Sequence, residues 1–123
     1  MRIYISGPMT GKPYLNHPAF VATERRLTAQ GHFVINPHRI SELFGSAEEL
    51  AESFAALYGV TLYGDFGYSP TLARAVMDAD LAALRSCDAI YLLRGWESSR
   101  GAKKELAEAL AHGLQVMQEG GEE

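Results

Sequence analysis

Two acidic residues occupy helical positions from which a carboxylate could do chemistry. A helix is predicted from Gly101 to about His112, and its apolar stripe consists of Ala102, Leu106, Ala109, Leu110 and Gly113. Glu105 lies at the edge of this stripe, about one turn into the helix. From there its carboxylate can enter a cleft as a catalytic group, or it can remain a solvated flank residue paired with Arg100 or Lys103. Position alone leaves both interpretations open.

Asp80 is the more unusual acid because it lies within an apolar stripe. A helix is predicted to begin at the N-cap and N1 pair Ser69-Pro70 and to end near Ser86. The apolar side of this helix consists of Ala73, Met77, Leu81 and Leu84. Asp80 lies among them, so its carboxylate must be hydrogen-bonded, be paired or have a raised pKa. It is either a functional acid or a structural carboxylate that caps a nearby backbone group.

The elements that position these acids alternate between strand and helix. Strands are predicted near residues 2–6, 33–36, 89–93 and 115–118. The helix between the first two strands has Pro18 at its start and Gly31 at its end, and this strand–helix–strand order predicts parallel pairing. We therefore expect an α/β fold with one doubly wound parallel sheet, strand order 2-1-3-4 and helices on both faces. Residues 1–118 form its single domain and residues 119–123 a polar tail.

In such a sheet, ligands bind at the carboxyl ends of the strands, so the loops that follow strands are the most informative segments. These loops are residues 6–11, 36–38 and 94–99. The first contains Gly7 and Gly11, which allow a close approach of backbone to ligand, although a plain turn is the alternative. It lacks both the Walker ending and the G-x-G-x-x-G spacing, which excludes a P-loop and a dinucleotide fingerprint.

The segment before the Asp80 helix contains a second capping signal and a group of aromatic residues. Ser46 and Glu49 form a capping box that predicts a helix through about Leu57. The loop predicted from Tyr58 to Tyr68 could be a lid over a ligand, or its aromatic side chains could anchor it to the core.

Composition narrows the class of ligand. The chain has 123 residues and a formal net charge of −4, and no Lys/Arg run is longer than Lys103-Lys104. A nucleic-acid polymer is therefore not expected as a partner, because tracking its phosphates needs a basic stripe. Cys87 is the only cysteine, which excludes an internal disulfide, and the histidines lack metal-ligand spacing. We expect a cytoplasmic protein that binds a small molecule, without a metal or cofactor and without membrane contact.

Three segments together resemble a known superfamily. They are Tyr4-Ile5-Ser6-Gly7-Pro8-Met9-Thr10-Gly11, Asp80 followed eight residues later by Asp88, and Ser99-Arg100-Gly101-Ala102-Lys103-Lys104-Glu105. In order and spacing the chain resembles nucleoside 2-deoxyribosyltransferases and deoxynucleoside 5′-monophosphate N-glycosidases. More narrowly, it looks like the small DUF4406 group, which is placed in that superfamily.

The resemblance implies a role for each matching residue. Glu105 would be the nucleophile that attacks the anomeric carbon, Tyr4 would hold it, and Asp80 would assist departure of the base. Substrate contacts would come from Ser6, Gly7, Pro8, Met9, Thr10, Gly11, Asn36, Ser99 and Gly101. Thr10 stands where the monophosphate hydrolases carry an arginine, and Arg94, Arg100 or Lys103 could replace that phosphate partner.

The implied reaction is cleavage or transfer of an N-glycosidic bond in a nucleoside or nucleoside 5′-monophosphate, with chemistry like that of a retaining glycosidase. Water as the second nucleophile would give a hydrolase, and a second base would give a transferase. Two other classes stay open: a nucleotide-binding module without catalysis, and an adaptor domain. A homo-oligomer is expected because related small enzymes build their sites across subunits.

Overall fold

The structure is a computed structural model, and it describes residues 1–9, 12–45, 49, 53, 57 and 71–121. Several predicted features lie outside the described residues. They are the loop residues Thr10 and Gly11, most of the helix predicted from Ser46 to Leu57, the aromatic loop from Tyr58 to Tyr68, and the Ser69-Pro70 cap.

The core of the fold is a four-stranded parallel sheet, as the sequence predicts. Its strands are β1 (Arg2–Ser6), β2 (Phe33–Ile35), β3 (Ala89–Leu92) and β4 (Gln115–Gln118). Their spatial order is β2-β1-β3-β4, and each neighbouring pair is parallel. In the centre of the sheet Tyr4 is in register with Ile35 on one side and Ile90 on the other.

The helices are α1 (His17–Ala29), α2 (Pro37–Ser41), α3 (Thr71–Arg85) and α4 (Arg100–Ala111), with 3-10 turns at Pro13–Asn16 and Trp96–Ser98. Helix α2 was not predicted. It forms because Asn36 leaves the strand one residue earlier than expected and accepts a hydrogen bond from the His38 N–H at 3.0 Å. Pro37 then occupies the first helical turn, where its missing N–H costs nothing.

The two faces of the sheet carry separate hydrophobic clusters. The cluster on the α1 face consists of Ile3, Ile5, Phe20, Leu27, Ala89, Tyr91, Leu93 and Met117. The cluster on the α3 and α4 face consists of Tyr4, Leu81, Leu84, Cys87, Ile90, Leu92 and Ala109. Because side chains alternate along a strand, Tyr4 and Ser6 of β1 both project toward α3 and α4. Helices therefore cover both faces, which confirms the doubly wound arrangement.

The loops that follow β1 and β3 pack tightly against each other at the carboxyl edge of the sheet. A Cβ atom on Gly7 would lie 2.7 Å from the Leu93 Cβ, and one on Gly95 would lie 3.4 Å from the Pro8 Cγ. Gly95 also has a φ of 87°, a left-handed conformation that glycine adopts without strain. Gly7 is thus required by packing between the two loops, whatever its relation to a ligand.

In the part of the chain that the structure describes, no helix combines the length and apolar character needed to cross a membrane.

Candidate active site

Three of the predicted residues meet directly through hydrogen bonds between β1 and α4. The Tyr4 hydroxyl donates to Glu105 Oε2 at 2.6 Å, and the Ser6 hydroxyl donates to Glu105 Oε1 at 2.5 Å. Tyr4 and Ser6 are alternate residues of the central strand, so both hydroxyls reach the same face of the sheet. Glu105 comes to them from α4, which begins at the carboxyl end of β3. Both oxygens of one carboxylate are therefore held by a single strand.

Asp80 brings a second carboxylate to the same face. Its side chain is buried on α3, and its Oδ1 has no hydrogen-bond partner among the described residues. Helix α3 packs against α4, and the pKa of Tyr4 is raised by burial and then by the charges of Glu105 and Asp80. The two carboxylates thus interact across one small region. A buried carboxylate oxygen without a partner among the described residues is costly, and functional sites are one place where such a group is kept.

Burial shifts both acids toward their protonated forms, and the charge of Glu105 adds to the shift of Asp80. Burial raises the pKa of Glu105 to about 7, although the hydrogen bonds from Ser6 and Tyr4 oppose that rise. Burial, and then the charge of Glu105, raise the pKa of Asp80 to about 8. Of the two acids, Glu105 is the one that receives hydrogen bonds from hydroxyl groups of the described residues, and these stabilise its ionised form. Near neutral pH the pair therefore favours an ionised Glu105 beside a protonated Asp80.

The exposure of the four residues shows which of them a ligand can reach. Tyr4 and Ser6 have no exposed surface, and Asp80 is 6% exposed. Glu105 is half-buried and is the most accessible member of the group. Tyr4, Ser6 and Asp80 are thus buried, and Glu105 is the member of the group that solvent reaches most.

The amino terminus of α4 lies next to this group. Helix α4 begins at Arg100, one residue before the predicted Gly101, because the Ser99 hydroxyl accepts a hydrogen bond from the Ala102 N–H at 3.1 Å. Ser99 is thus the N-cap, and a helix amino terminus attracts anions through its free N–H groups and its dipole. The predicted substrate contacts of Ser99 and Gly101 stay predictions.

The remaining predicted contacts are distributed around the carboxyl edge. Pro8 is buried beside Gly95, whereas Met9 packs against the cluster on the α1 face, away from Glu105. The Asn36 side chain is engaged by its own helix and by Glu24, to which its Nδ2 donates at 3.2 Å. A substrate contact by Asn36 would therefore have to replace one of these structural hydrogen bonds.

Arg94 is directed toward the end of β4. A Cβ atom on Gly120 would lie 2.7 Å from the Arg94 Nη2, and the Arg94 backbone N–H donates to Glu119 at 2.9 Å. These contacts place its guanidinium at the side of β3 opposite to β1. The Arg94 guanidinium therefore lies near the end of β4, on the other side of β3 from the strand that carries Tyr4.

Sequence reasoning did not single out His38, a buried histidine on the α1 face. Its ring makes edge contacts with Phe20 and His17, with centroids 4.8 and 5.0 Å apart, and its Nε2 has no partner among the described residues. Burial and the neighbouring His17 lower its pKa to about 4, so the ring is neutral at physiological pH. No sequence pattern marked it, because its burial results from contact between α2 and the distant α1. No group of three or more metal-ligating side chains occurs among residues 1–9, 12–45 and 71–121.

Comparison with known proteins gives a family for this chain. The sequence profile described as "Domain of unknown function (DUF4406)" matches residues 1–61 and 66–118. No match was found among curated proteins. The matched residues include Tyr4, Ser6, Asp80 and Glu105 and cover nearly the whole chain. By this match the protein belongs to the DUF4406 family.

Proposed function

We propose that this protein cleaves or transfers the N-glycosidic bond of a nucleoside or nucleoside 5′-monophosphate, with Glu105 as the nucleophile. The observation that carries the proposal is the Glu105 carboxylate itself. Glu105 is half-buried, and hydroxyl donors hold both of its carboxylate oxygens beside a second acid, Asp80, whose pKa is raised to about 8 by burial and by the charge of Glu105. A retaining N-glycosidase needs this combination of an ionised nucleophile and a protonated acid.

In the first step an ionised Glu105 oxygen forms a bond to the anomeric carbon as the bond from that carbon to the base nitrogen breaks. The protonated Asp80 gives its proton to the departing base, so no free anion of the base is released. The product is a glycosyl ester on Glu105, with Asp80 now ionised.

In the second step water or the nitrogen of another base attacks the anomeric carbon and breaks the ester bond. Asp80 takes the proton of this incoming nucleophile, which restores both acids to their starting forms. Two displacements at the same carbon retain its configuration. Attack by water makes the protein a hydrolase, and attack by a base makes it a transferase.

Several features support a nucleoside or nucleotide as the substrate. The resemblance of the Tyr4, Asp80 and Glu105 segments to nucleoside 2-deoxyribosyltransferases supplies the substrate class, and this superfamily link is part of the proposal. The amino terminus of α4, capped by Ser99, would receive a 5′-phosphate through its N–H groups. A cytoplasmic location, assembly into a homo-oligomer and the absence of a nucleic-acid partner also belong to the proposal.

The decisive experiment is incubation of the protein with a panel of nucleosides and deoxynucleoside monophosphates, followed by chromatographic detection of free base. Glu105→Gln preserves size and removes the nucleophile, so we expect base release to fall by several orders of magnitude while the melting temperature changes little. Glu108→Gln is the matched control, because Glu108 lies one turn later on α4 and pairs with Arg85 instead.

Base release by Glu105→Gln at a rate near that of the wild type would exclude Glu105 as the nucleophile. Absence of release from every substrate, together with thermal stabilisation by one of them, would replace the proposal with that of a nucleotide-binding module. Absence of both effects across the panel would favour an adaptor domain.

A further inference from the structure

We propose that Ser6 is a positioning residue for Glu105, which fixes the plane of the attacking carboxylate without contacting the substrate. The catalytic part of this inference rests on the proposed function of Glu105. It assigns Ser6 a role different from the substrate contact expected from the sequence.

The geometry of the carboxylate shows why a second hydroxyl matters. The terminal torsion of a glutamate side chain has a broad energy minimum, so packing of its methylene groups does not fix the carboxylate plane. A single donor, Tyr4, would leave rotation about that bond largely free. Because Ser6 donates at 2.5 Å to the other oxygen, the two hydroxyls define the plane between them.

Ser6 itself is held rigidly. It is the last residue of β1, one of the two central strands, and is in register with Leu92 of β3. Its carbonyl accepts a hydrogen bond from the Leu93 N–H at 2.8 Å. It has no exposed surface. A serine hydroxyl carries one proton, and here that proton is directed to Glu105. Because Ser6 is fully buried and Glu105 is half-buried, a substrate that enters this site contacts Glu105 and not Ser6.

The same hydrogen bond also favours the ionised form of the carboxylate. The bond from Ser6 is the first, and that from Tyr4 the second, of the interactions that lower the pKa of Glu105 against the effect of burial. Removal of the Ser6 hydroxyl should therefore both loosen the carboxylate and make it harder to ionise.

The test begins with a measurement that does not depend on activity. In protein with ¹³C-labelled glutamate, the carboxyl signal of Glu105 is assigned by its loss in Glu105→Gln, and its chemical shift is followed as a function of pH. We expect Ser6→Ala to lower the acid dissociation constant of Glu105 by at least roughly threefold. Ser6→Thr keeps a hydroxyl, so the acid dissociation constant of Glu105 in that variant should stay close to the wild-type value. If Ser6→Ala does not fold, Ser6→Cys keeps a polar but slightly larger group that is a weaker donor, and we expect a change in the same direction. An unchanged dissociation constant in the folded variant would overturn the proposal.

The second measurement is base release as a function of pH. A positioning role predicts that Ser6→Ala lowers kcat about tenfold or more, most strongly on the acidic side of the profile, while KM changes less than about twofold. A large rise in KM with unchanged kcat would show instead that Ser6 contacts the substrate, and would overturn the proposal. If the wild-type protein releases no base, the proposed function fails, and the carboxyl titration still decides whether Ser6 controls Glu105.

Discussion

Replacement of Asp80 by asparagine should make the stability of this protein depend less on pH. Asp80 is 6% exposed, and burial together with the charge of Glu105 raises its pKa from 3.8 to about 8. Below about pH 4 the carboxyl is protonated in both the folded and the unfolded chain, so its ionisation does not lower the free energy of unfolding. As the pH rises, the unfolded chain releases the proton while the folded chain keeps it, so the free energy of unfolding falls until the pH passes about 8.

The size of this effect follows from the change in pKa. A tenfold change in a protonation equilibrium corresponds to about 1.4 kcal/mol, so the rise from 3.8 to about 8 sets an upper bound of roughly 6 kcal/mol at alkaline pH. An asparagine keeps the shape of the side chain and has no proton to release. We therefore expect Asp80→Asn to gain at least about 2 kcal/mol over the wild type between pH 4 and pH 9.

Urea unfolding followed by circular dichroism, at several pH values between 4 and 9, measures this difference directly. Asp78→Asn is the matched control, because Asp78 lies on the same helix and is exposed. A stability difference between Asp80→Asn and the wild type that is equal at both ends of the range would refute the reasoning. It would mean that Asp80 ionises normally in the folded protein, and it would remove the basis for Asp80 as the proton donor.

Three further substitutions test the elements that position the site. Gly7→Ala should destabilise the fold by about 1–3 kcal/mol, because the new Cβ would lie 2.7 Å from the Leu93 Cβ. Unchanged thermal unfolding would contradict this, since it would show that the two loops can separate without loss of stability. Leu84→Ala should cost about 2–5 kcal/mol in urea unfolding, since Leu84 is fully buried between α3 and the sheet, and a loss below about 1 kcal/mol would argue against that packing. Ser99→Ala should cost about 1 kcal/mol through loss of the α4 cap, and Ser99→Asp, which keeps an acceptor, should recover most of it in the same assay.

The strands and their order could be predicted from local pattern. The apolar run at Ala89–Leu92 and the β1–α1–β2 succession are short-range features, and the preference for right-handed parallel crossovers leaves few ways to connect them. The boundaries were less accurate. β2 ends at Ile35 and α4 begins at Arg100 because the side chains of Asn36 and Ser99 form caps, and cap geometry depends on the conformation of the flanking backbone.

The candidate site, like the fold, could be predicted from the sequence only in part. The unusual character of Asp80 was visible in the sequence, because an acid within a helical apolar stripe breaks the period that buries the helix. The role of Ser6 was not visible. The family resemblance implied a substrate contact for Ser6, whereas in the structure Ser6 is fully buried and its hydroxyl donates to Glu105.

The sequence by itself determined the four strands and the helices α1, α3 and α4, the apolar face of α3 and α4, and the two acids, Asp80 and Glu105, that lie within or beside those faces. Only the tertiary structure gave the geometry of the contact that the resemblance implied between Tyr4 and Glu105, 101 residues apart, and only it decided that Ser6 donates to the other carboxylate oxygen. The physical reason is the range of the forces involved. The periodicity of apolar residues indicates which face of one helix or strand is buried. A hydrogen bond at 2.5 Å depends instead on the register of the sheet and on the packing of α4 against it, which involve segments distant in the sequence.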